Sequence, residues 1–116
     1  MLLPFNTTIW FYRQPIDFRN QIDGIVILVA DTLQKDPVSG QLFVFRNKKA
    51  DKLKMLYWES GGFWLLYKRF EKGIFKFPGV VDEAMELSMQ QLQWLLSGID
   101  FTQQKPPEKC QYTRFY

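Results

Sequence analysis

The stretch from Gln41 to Phe77 constrains the fold of this chain more than any other. It alternates apolar and charged residues over most of its length, and turn signals interrupt it at 47–50, 60–62 and 72–73. A period of two places successive side chains on opposite faces of a strand. Because the connections are short, the stretch predicts hairpins and hence an antiparallel meander.

The remaining segments add further strands and two helices. A helix is predicted from about Phe18 to Gln34, with Asp17 as N-cap, and a second follows Ser88, whose spacing to Gln91 fits a capping box and whose end is marked by Gly98. Gly24 inside the first helix costs roughly 1 kcal/mol relative to alanine, which suggests close approach to the sheet. The predicted strands are Thr7–Arg13, Gln41–Arg46, Lys52–Glu59, Phe63–Glu71 and Ile74–Phe77, with part of 80–87 as a further edge strand.

Length and composition predict one α+β domain with a single core, an antiparallel meander sheet packed against two helices. The chain has 116 residues, of which 47% are hydrophobic and 23% charged. We expect the domain to cover residues 1–101. The polar segment 102–116, which carries Pro106 and Pro107, is expected to be flexible or docked on a partner.

Several function classes are disfavoured by the residues that the chain lacks. It contains one cysteine and no histidine, so it has no internal disulfide, no Cys–His nucleophile and no histidine-based metal site. No apolar run approaches the length of a membrane span, and the N-terminus does not resemble a secretory signal. These features predict a cytoplasmic protein without a metal or a cofactor.

Positive charge is concentrated in the central stretch. Between Arg46 and Lys76 there are nine bases and three acids, or +6, whereas the rest of the chain has six bases and nine acids, or −3. Such asymmetry is typical of a protein that binds a polyanion. It is equally typical of a solvated sheet whose lysines discourage edge-to-edge aggregation.

Alternation also sorts side chains onto two faces of the third and fourth strands. With a two-residue turn, Leu53, Met55 and Tyr57 share a face with Trp64, Leu66 and Phe70, which is expected to be core. The other face interleaves bases with rings and includes Lys52, Lys54, Leu56, Trp58, Phe63, Leu65, Tyr67 and Arg69. That face suits nucleic acid through phosphate contacts and stacking, or it is a second apolar layer with lysines at its rim.

These patterns select two sets of candidate residues. The first is a set of bases for nucleic-acid binding: Arg46, Lys48, Lys49, Lys52, Lys54, Lys68, Arg69 and Lys72. The second is a set of rings for base stacking or partner contact: Trp58, Phe63 and Tyr67.

Four blocks of the sequence carry a family resemblance. They are DPVSGQLFVFRNKK from Asp36, DKLKMLYW from Asp51, GFWLLYKRFEKG from Gly62 and LSMQQLQWLLSGID from Leu87. In this order they closely resemble the small accessory proteins, often called TnpB, of the insertion sequence 66 family of bacterial transposable elements. The segments Asp17-Phe-Arg and Ile22-Asp-Gly resemble the N-terminal motif of that family.

The resemblance implies a protein that acts alongside a separate, larger transposase, with no established catalytic residues to carry over. Family members are often richer in arginine where this chain has lysines at 48, 49, 52 and 54, which favours phosphate contacts over bidentate base contacts. The favoured hypothesis is a non-catalytic accessory factor that binds DNA at the element ends, or a transposase–DNA complex, through its basic hairpins. The alternatives are an adaptor that docks on the transposase without touching DNA, and a carboxylate–metal nuclease, for which no acidic constellation is evident.

Overall fold

The computed structural model describes residues 3–4, 6–77 and 83–100. The predicted tail, 102–116, lies outside the described residues. The described part forms an α+β domain with one five-stranded sheet and two helices, which confirms the predicted fold class. The elements are β1 (Ile9–Tyr12), α1 (Ile22–Ile27), a π-helical continuation of α1 (Leu28–Thr32), β2 (Leu42–Arg46), β3 (Lys52–Glu59), β4 (Gly62–Arg69), β5 (Ala84–Leu87) and α2 (Met89–Ser97).

The sheet has the strand order β4-β3-β2-β1-β5 and is mixed. Strands β2, β3 and β4 form the predicted antiparallel meander, with Ser60 and Gly61 as a two-residue turn between the last two. Strand β1, however, pairs with β2 in parallel, because α1 carries the chain back across the sheet between them. As a result, the C-terminal ends of β1 and β2 lie next to each other at the same end of the sheet.

Each face of the sheet is covered by one helix. On the first face, Leu42, Val44 and Leu53 pack with Leu92 and Leu95 of α2. On the second face, Phe43, Phe45 and Leu56 pack with Ile25 and Val29 of the α1 region. The alternation therefore sorted the side chains of β3 and β4 onto the predicted faces, but both faces contribute core.

The first helix differs from its prediction at both ends. It begins at Ile22, and Asp17 is not its cap, because the N-cap position is held by Gln21 without a side-chain cap bond. The carboxylate of Asp17 instead accepts from the backbone N–H of Arg19 at 2.9 Å, which closes a local turn. After Ile27 the helix widens, and Leu33 N–H donates to Leu28 O across five residues.

Gly24 has a close neighbour other than the predicted one. A Cβ at this position would lie 2.3 Å from Oδ1 of Asn20, in the turn that precedes α1, and its nearest neighbours would all belong to Asn20. The glycine therefore makes room for this turn.

Residues Ile74–Phe77 do not form the predicted strand. The chain crosses the end of the β2–β3 hairpin at this point, and Phe75 N–H donates to Ala50 O at 2.6 Å. Phe75 itself is buried and stacks on Phe70 with ring centroids 4.0 Å apart. The further edge strand predicted within 80–87 is present as β5, which pairs with β1.

The second helix begins and ends as predicted. The Ser88 side chain accepts from Gln91 N–H at 3.0 Å, and the Gln91 side chain accepts from Ser88 N–H at 2.8 Å, which is a complete capping box. Gly98 ends the helix with φ of 77°, and a Cβ there would lie 2.8 Å from the Phe70 ring. This glycine is therefore required both by the backbone and by packing.

Replacing Ser88 by alanine removes one half of the capping box. We expect Ser88→Ala to lower the free energy of unfolding by about 1 kcal/mol, because the N–H of Gln91 loses its acceptor. Urea denaturation followed by circular dichroism measures this change. The control is Gln93→Ala, an exposed position of the same helix, for which a shift comparable to that of Ser88→Ala would contradict the capping role.

Candidate nucleic-acid interface

The topology collects basic residues at one end of the sheet. Strands β1, β2 and β4 finish there, and β3 and β5 begin there, because Arg46 lies opposite Leu53, Lys52 lies opposite Arg69, and Tyr12 lies opposite Ala84. We call this the basic end. Its bases are Arg13, Arg46, Lys48, Lys49, Lys52, Arg69, Lys72 and Lys76, and the acids beside them are Asp51, Glu71 and Glu83. Among the described residues, eight bases against three acids give this end a charge of +5.

The turn between β2 and β3 is an exposed part of the basic end. Asn47 Oδ1 accepts from the backbone N–H groups of Asp51 and Lys52 at 3.1 and 3.0 Å, and Ala50 N–H donates to Asn47 O. This network holds the turn closed, so Lys48 and Lys49 point into solvent. Neither lysine forms an ion pair within the described ranges.

A second exposed loop lies beside this turn. Phe70 N–H donates to Asp51 O at 2.8 Å, which together with the Phe75–Ala50 bond fastens residues 70–75 to the hairpin. Lys72 and Lys76 are exposed on this loop, and no acid of the described residues pairs with them. Four free lysines thus come from two loops that the sheet places side by side.

Arg46 and Arg13 form a less exposed pair at the ends of the parallel strands. Arg46 Nε donates to Arg13 O at 2.8 Å, and its guanidinium lies 4.5 Å above the Phe77 ring. Burial, with a smaller effect of the Arg13 charge, lowers the pKa of Arg46 from its ordinary value. Among the described residues, Arg13 Nε is buried without a hydrogen-bond partner.

Sequence reasoning missed Arg13. The signal was its position at the end of the first predicted strand, but a wholly antiparallel sheet gives no reason to bring it beside Arg46. Only the parallel pairing of β1 with β2 does so.

Two predicted bases of the basic end are paired with acids. Lys52 lies 3.5 Å from Asp51, and Arg69 Nε donates to Glu71 at 2.8 Å. The hydrogen bond from Asn47, and to a smaller extent Lys52, lowers the pKa of Asp51. These cations are partly neutralised, so they are weaker candidates for phosphate contacts than Lys48, Lys49 and Lys72.

The structure places Lys54 and Lys68 in other roles. Lys54 is only 5% exposed, and its ammonium donates to Phe18 O at 2.9 Å and Asn20 O at 2.7 Å. Lys68 donates to Leu96 O near the C-terminus of α2, a common position for a lysine that caps the last carbonyls of a helix. We therefore do not count Lys54 or Lys68 among the candidates for phosphate contacts.

The three predicted rings do not form one surface. Trp58 and Phe63 lie near the β3–β4 turn, partly buried, with their rings 4.9 Å apart in an edge-to-face arrangement. Tyr67 lies four residues along β4 from Phe63 and is 57% exposed. Of the three residues, Tyr67 is the most exposed.

Tyr67 borders a cleft that opens beside the basic end. The cleft has a volume of about 590 Å³ and lies between the turn before α1 and the strands β3 and β4. Its walls are formed by Asp17, Phe18, Arg19, Gln21, Lys52, Lys54, Leu65 and Tyr67.

The rim of the cleft holds an exposed ion pair. Arg19 Nη2 lies 2.5 Å from Asp17 Oδ2, and the hydrogen bonds from Arg19 lower the pKa of Asp17 from 3.8 to about 2. We therefore expect the stability that this pair contributes to be complete above about pH 4 and to be lost as the pH falls towards about 2.

Asp17→Asn tests this pH dependence. Urea denaturation should show a difference in stability from the wild type at pH 6 that shrinks as the pH is lowered towards 2. The effect will be small and will weaken with added salt, because both groups are exposed. An equal difference at pH 6 and pH 2.5, or the same difference in an Arg19→Gln background, would contradict this assignment.

Two other kinds of feature, a metal site and a membrane-spanning helix, are absent from the described part of the chain. No three Asp, Glu, His or Cys side chains lie close enough together to hold a metal ion within residues 3–4, 6–77 and 83–100. In the same ranges, no helix has the length and apolar character needed to cross a membrane.

One family model and two curated relatives match this chain. The family described as IS66 Orf2 like protein matches residues 7–106. The uncharacterised protein y4jC of Sinorhizobium fredii is 42% identical over 92 residues, which cover 79% of either chain. A second uncharacterised protein of that organism, y4hO, is 33% identical over 96 residues, or 83% of this chain and 84% of its own length. No solved structure matches.

The family match spans most of the chain and includes every strand and helix described above. The four sequence blocks that carry the family resemblance, which begin at Asp36, Asp51, Gly62 and Leu87, form β2, β3, β4 and α2. The chain therefore belongs to the IS66 Orf2-like family, whose members have an accessory role in insertion-sequence transposition.

Proposed function

We propose that this protein is a non-catalytic accessory factor that contacts DNA phosphates through the basic end while the transposition complex assembles. The observation that supports this proposal is the grouping of Lys48, Lys49, Lys72 and Lys76, exposed and without acidic partners among the described residues, on two adjoining loops. The proposal places the protein with DNA in the bacterial cytoplasm.

The chemistry of the basic end favours phosphate contacts over base recognition. A lysine ammonium acts as a mobile point charge, whereas arginine offers a planar fork that matches a guanine edge. The four exposed bases of the basic end that have no acidic partner among the described residues are all lysines, and the arginines there are half-buried or paired with an acid. We therefore expect binding that depends strongly on salt and weakly on DNA sequence.

A salt titration with DNA from the element ends tests the proposal. If four lysines each neutralise one phosphate, the logarithm of the binding constant falls with that of the salt concentration with a slope of about −3.6. A duplex of unrelated sequence and equal length should bind nearly as well. Absence of binding to either duplex at low salt would contradict direct DNA contact.

One observation favours an adaptor as the second candidate. No described strand pairs with the outer edge of β4, and Trp64 on this strand is 44% exposed. Such an edge can accept a strand from another protein. Co-purification with the cognate transposase from nuclease-treated extract, lost in Trp64→Ala, would favour this function over DNA contact.

A further inference from the structure

The cleft beside the basic end combines an exposed ring with cations. Its volume of about 590 Å³ lies within the range of pockets that hold a small ligand. We infer that it receives one unpaired base of the DNA whose backbone the basic end holds, an inference that rests on the proposed function.

Tyr67 supplies the stacking surface. Its side chain is 57% exposed although it stands on a sheet, and the Phe18 ring lies edge-on to it with centroids 6.3 Å apart. The Phe18 contact limits the movement of the Tyr67 ring while a large part of that ring stays open. A base has a π-face of matching size, and stacking of this kind tolerates any of the four bases.

Lys54 supplies a donor at the inner wall. Its ammonium has three N–H groups, and the carbonyls of Phe18 and Asn20 accept two hydrogen bonds from it, at 2.9 and 2.7 Å. One N–H therefore remains for an acceptor in the cleft, such as a ring nitrogen or carbonyl oxygen of a base. The ammonium lies 5.0 and 6.0 Å from the centroids of the Phe18 and Tyr67 rings, so this donor is next to the stacking surface.

The cleft is continuous with the basic end through Lys52. This residue lines the cleft and stands opposite Arg69 at the last rung of the β3–β4 pair. Arg19, whose side chain is 91% exposed, lies on the opposite wall. A base in the cleft would thus have a cation on either side, Lys52 paired with Asp51 and Arg19 paired with Asp17, and its flanking phosphates would compete with these two carboxylates.

Fluorescence of 2-aminopurine tests the inference in the full chain. A duplex with a single unpaired 2-aminopurine should lose fluorescence when the wild-type protein binds, because the base stacks on Tyr67. Tyr67→Ala should weaken binding of this duplex by roughly 5- to 100-fold and leave the affinity for a fully paired duplex unchanged. Tyr67→Phe keeps the ring and should behave as the wild type.

Trp64→Ala is the matched control, because Trp64 is also an exposed ring on β4 but lies on the other face of the sheet. It should leave the fluorescence change intact.

If Tyr67→Ala binds both duplexes as the wild type does, the inferred base site in the cleft is wrong, whereas the proposed phosphate contacts of the basic end are unaffected. If no duplex binds at low salt, the proposed function fails together with the base site. If free adenosine monophosphate binds as tightly as the duplex with the unpaired base, the assignment to a base within DNA is overturned.

Discussion

Replacing Lys48, Lys49 and Lys72 together by glutamine will weaken DNA binding roughly 10- to 100-fold at moderate ionic strength, if each lysine meets one phosphate with the energy of an exposed ion pair. The salt dependence is the more specific result. Removal of three phosphate contacts reduces the slope of the salt titration by about 2.7. The fold should not change, because all three side chains are exposed on turns.

The matched control for this set is Lys35→Gln. Lys35 lies outside the basic end, with its ammonium 3.6 Å from the centroid of the Trp10 ring. Compared singly, Lys48→Gln should lower the slope by about 0.9 and Lys35→Gln should not. Equal decreases in the slope for the two variants would show that DNA binding depends only on the total charge of the protein, and would contradict the basic end as the DNA-binding surface.

Replacing Lys54 by alanine will destabilise the protein by about 3 kcal/mol. The ammonium is buried, and its loss leaves the carbonyls of Phe18 and Asn20 without their donor, at a cost of about 1–3 kcal/mol each, in addition to a small cavity. Since domains of this kind are stable by about 5–15 kcal/mol, this loss is a large fraction of the total. Chemical denaturation measures it directly.

Two further variants separate the causes of this loss. Lys54→Met keeps most of the side-chain volume. The difference in the free energy of unfolding between Lys54→Met and Lys54→Ala therefore measures the contribution of the cavity. Lys52→Ala changes the neighbouring lysine of the same strand and should cost less than about 1 kcal/mol, because its ion pair with Asp51 is partly exposed. A loss in Lys54→Ala no larger than that in Lys52→Ala would show that the two carbonyl contacts contribute nothing to stability.

Local patterns predicted the elements whose signals are contained in adjacent residues. The bounds of β3 were predicted to the residue, since alternation and a turn at either end define them. The capping box of Ser88 and the left-handed Gly98 were likewise predicted, because each depends on groups within a few residues. The same local logic failed at Asp17, whose carboxylate has a competing donor in Arg19 two residues later.

Less of the candidate site than of the fold could be predicted from sequence patterns. Alternation put Lys54 on a face with Tyr67, and it does lie there, but burial depends on the turn before α1 closing over it. The exposed lysines of the β2–β3 turn were found because a hairpin tip projects from a sheet. Arg13 was missed because nothing near it in the chain indicates that β1 pairs in parallel with β2, the strand that ends at Arg46.

By itself, the sequence determined the hairpins, the caps of α2 and the excess of lysine in the central stretch, because each is set by residues that are neighbours along the chain. Only the tertiary structure decided which of those lysines remain free. Parallel pairing of β1 and β2 brings Arg13 beside Arg46 at the basic end, and the packing of the turn before α1 buries one cation while it opens a cleft next to the others. Contacts between residues more than thirty positions apart, such as Lys54 with Phe18 and Arg46 with Arg13, set these outcomes, and a pattern of near neighbours does not contain them.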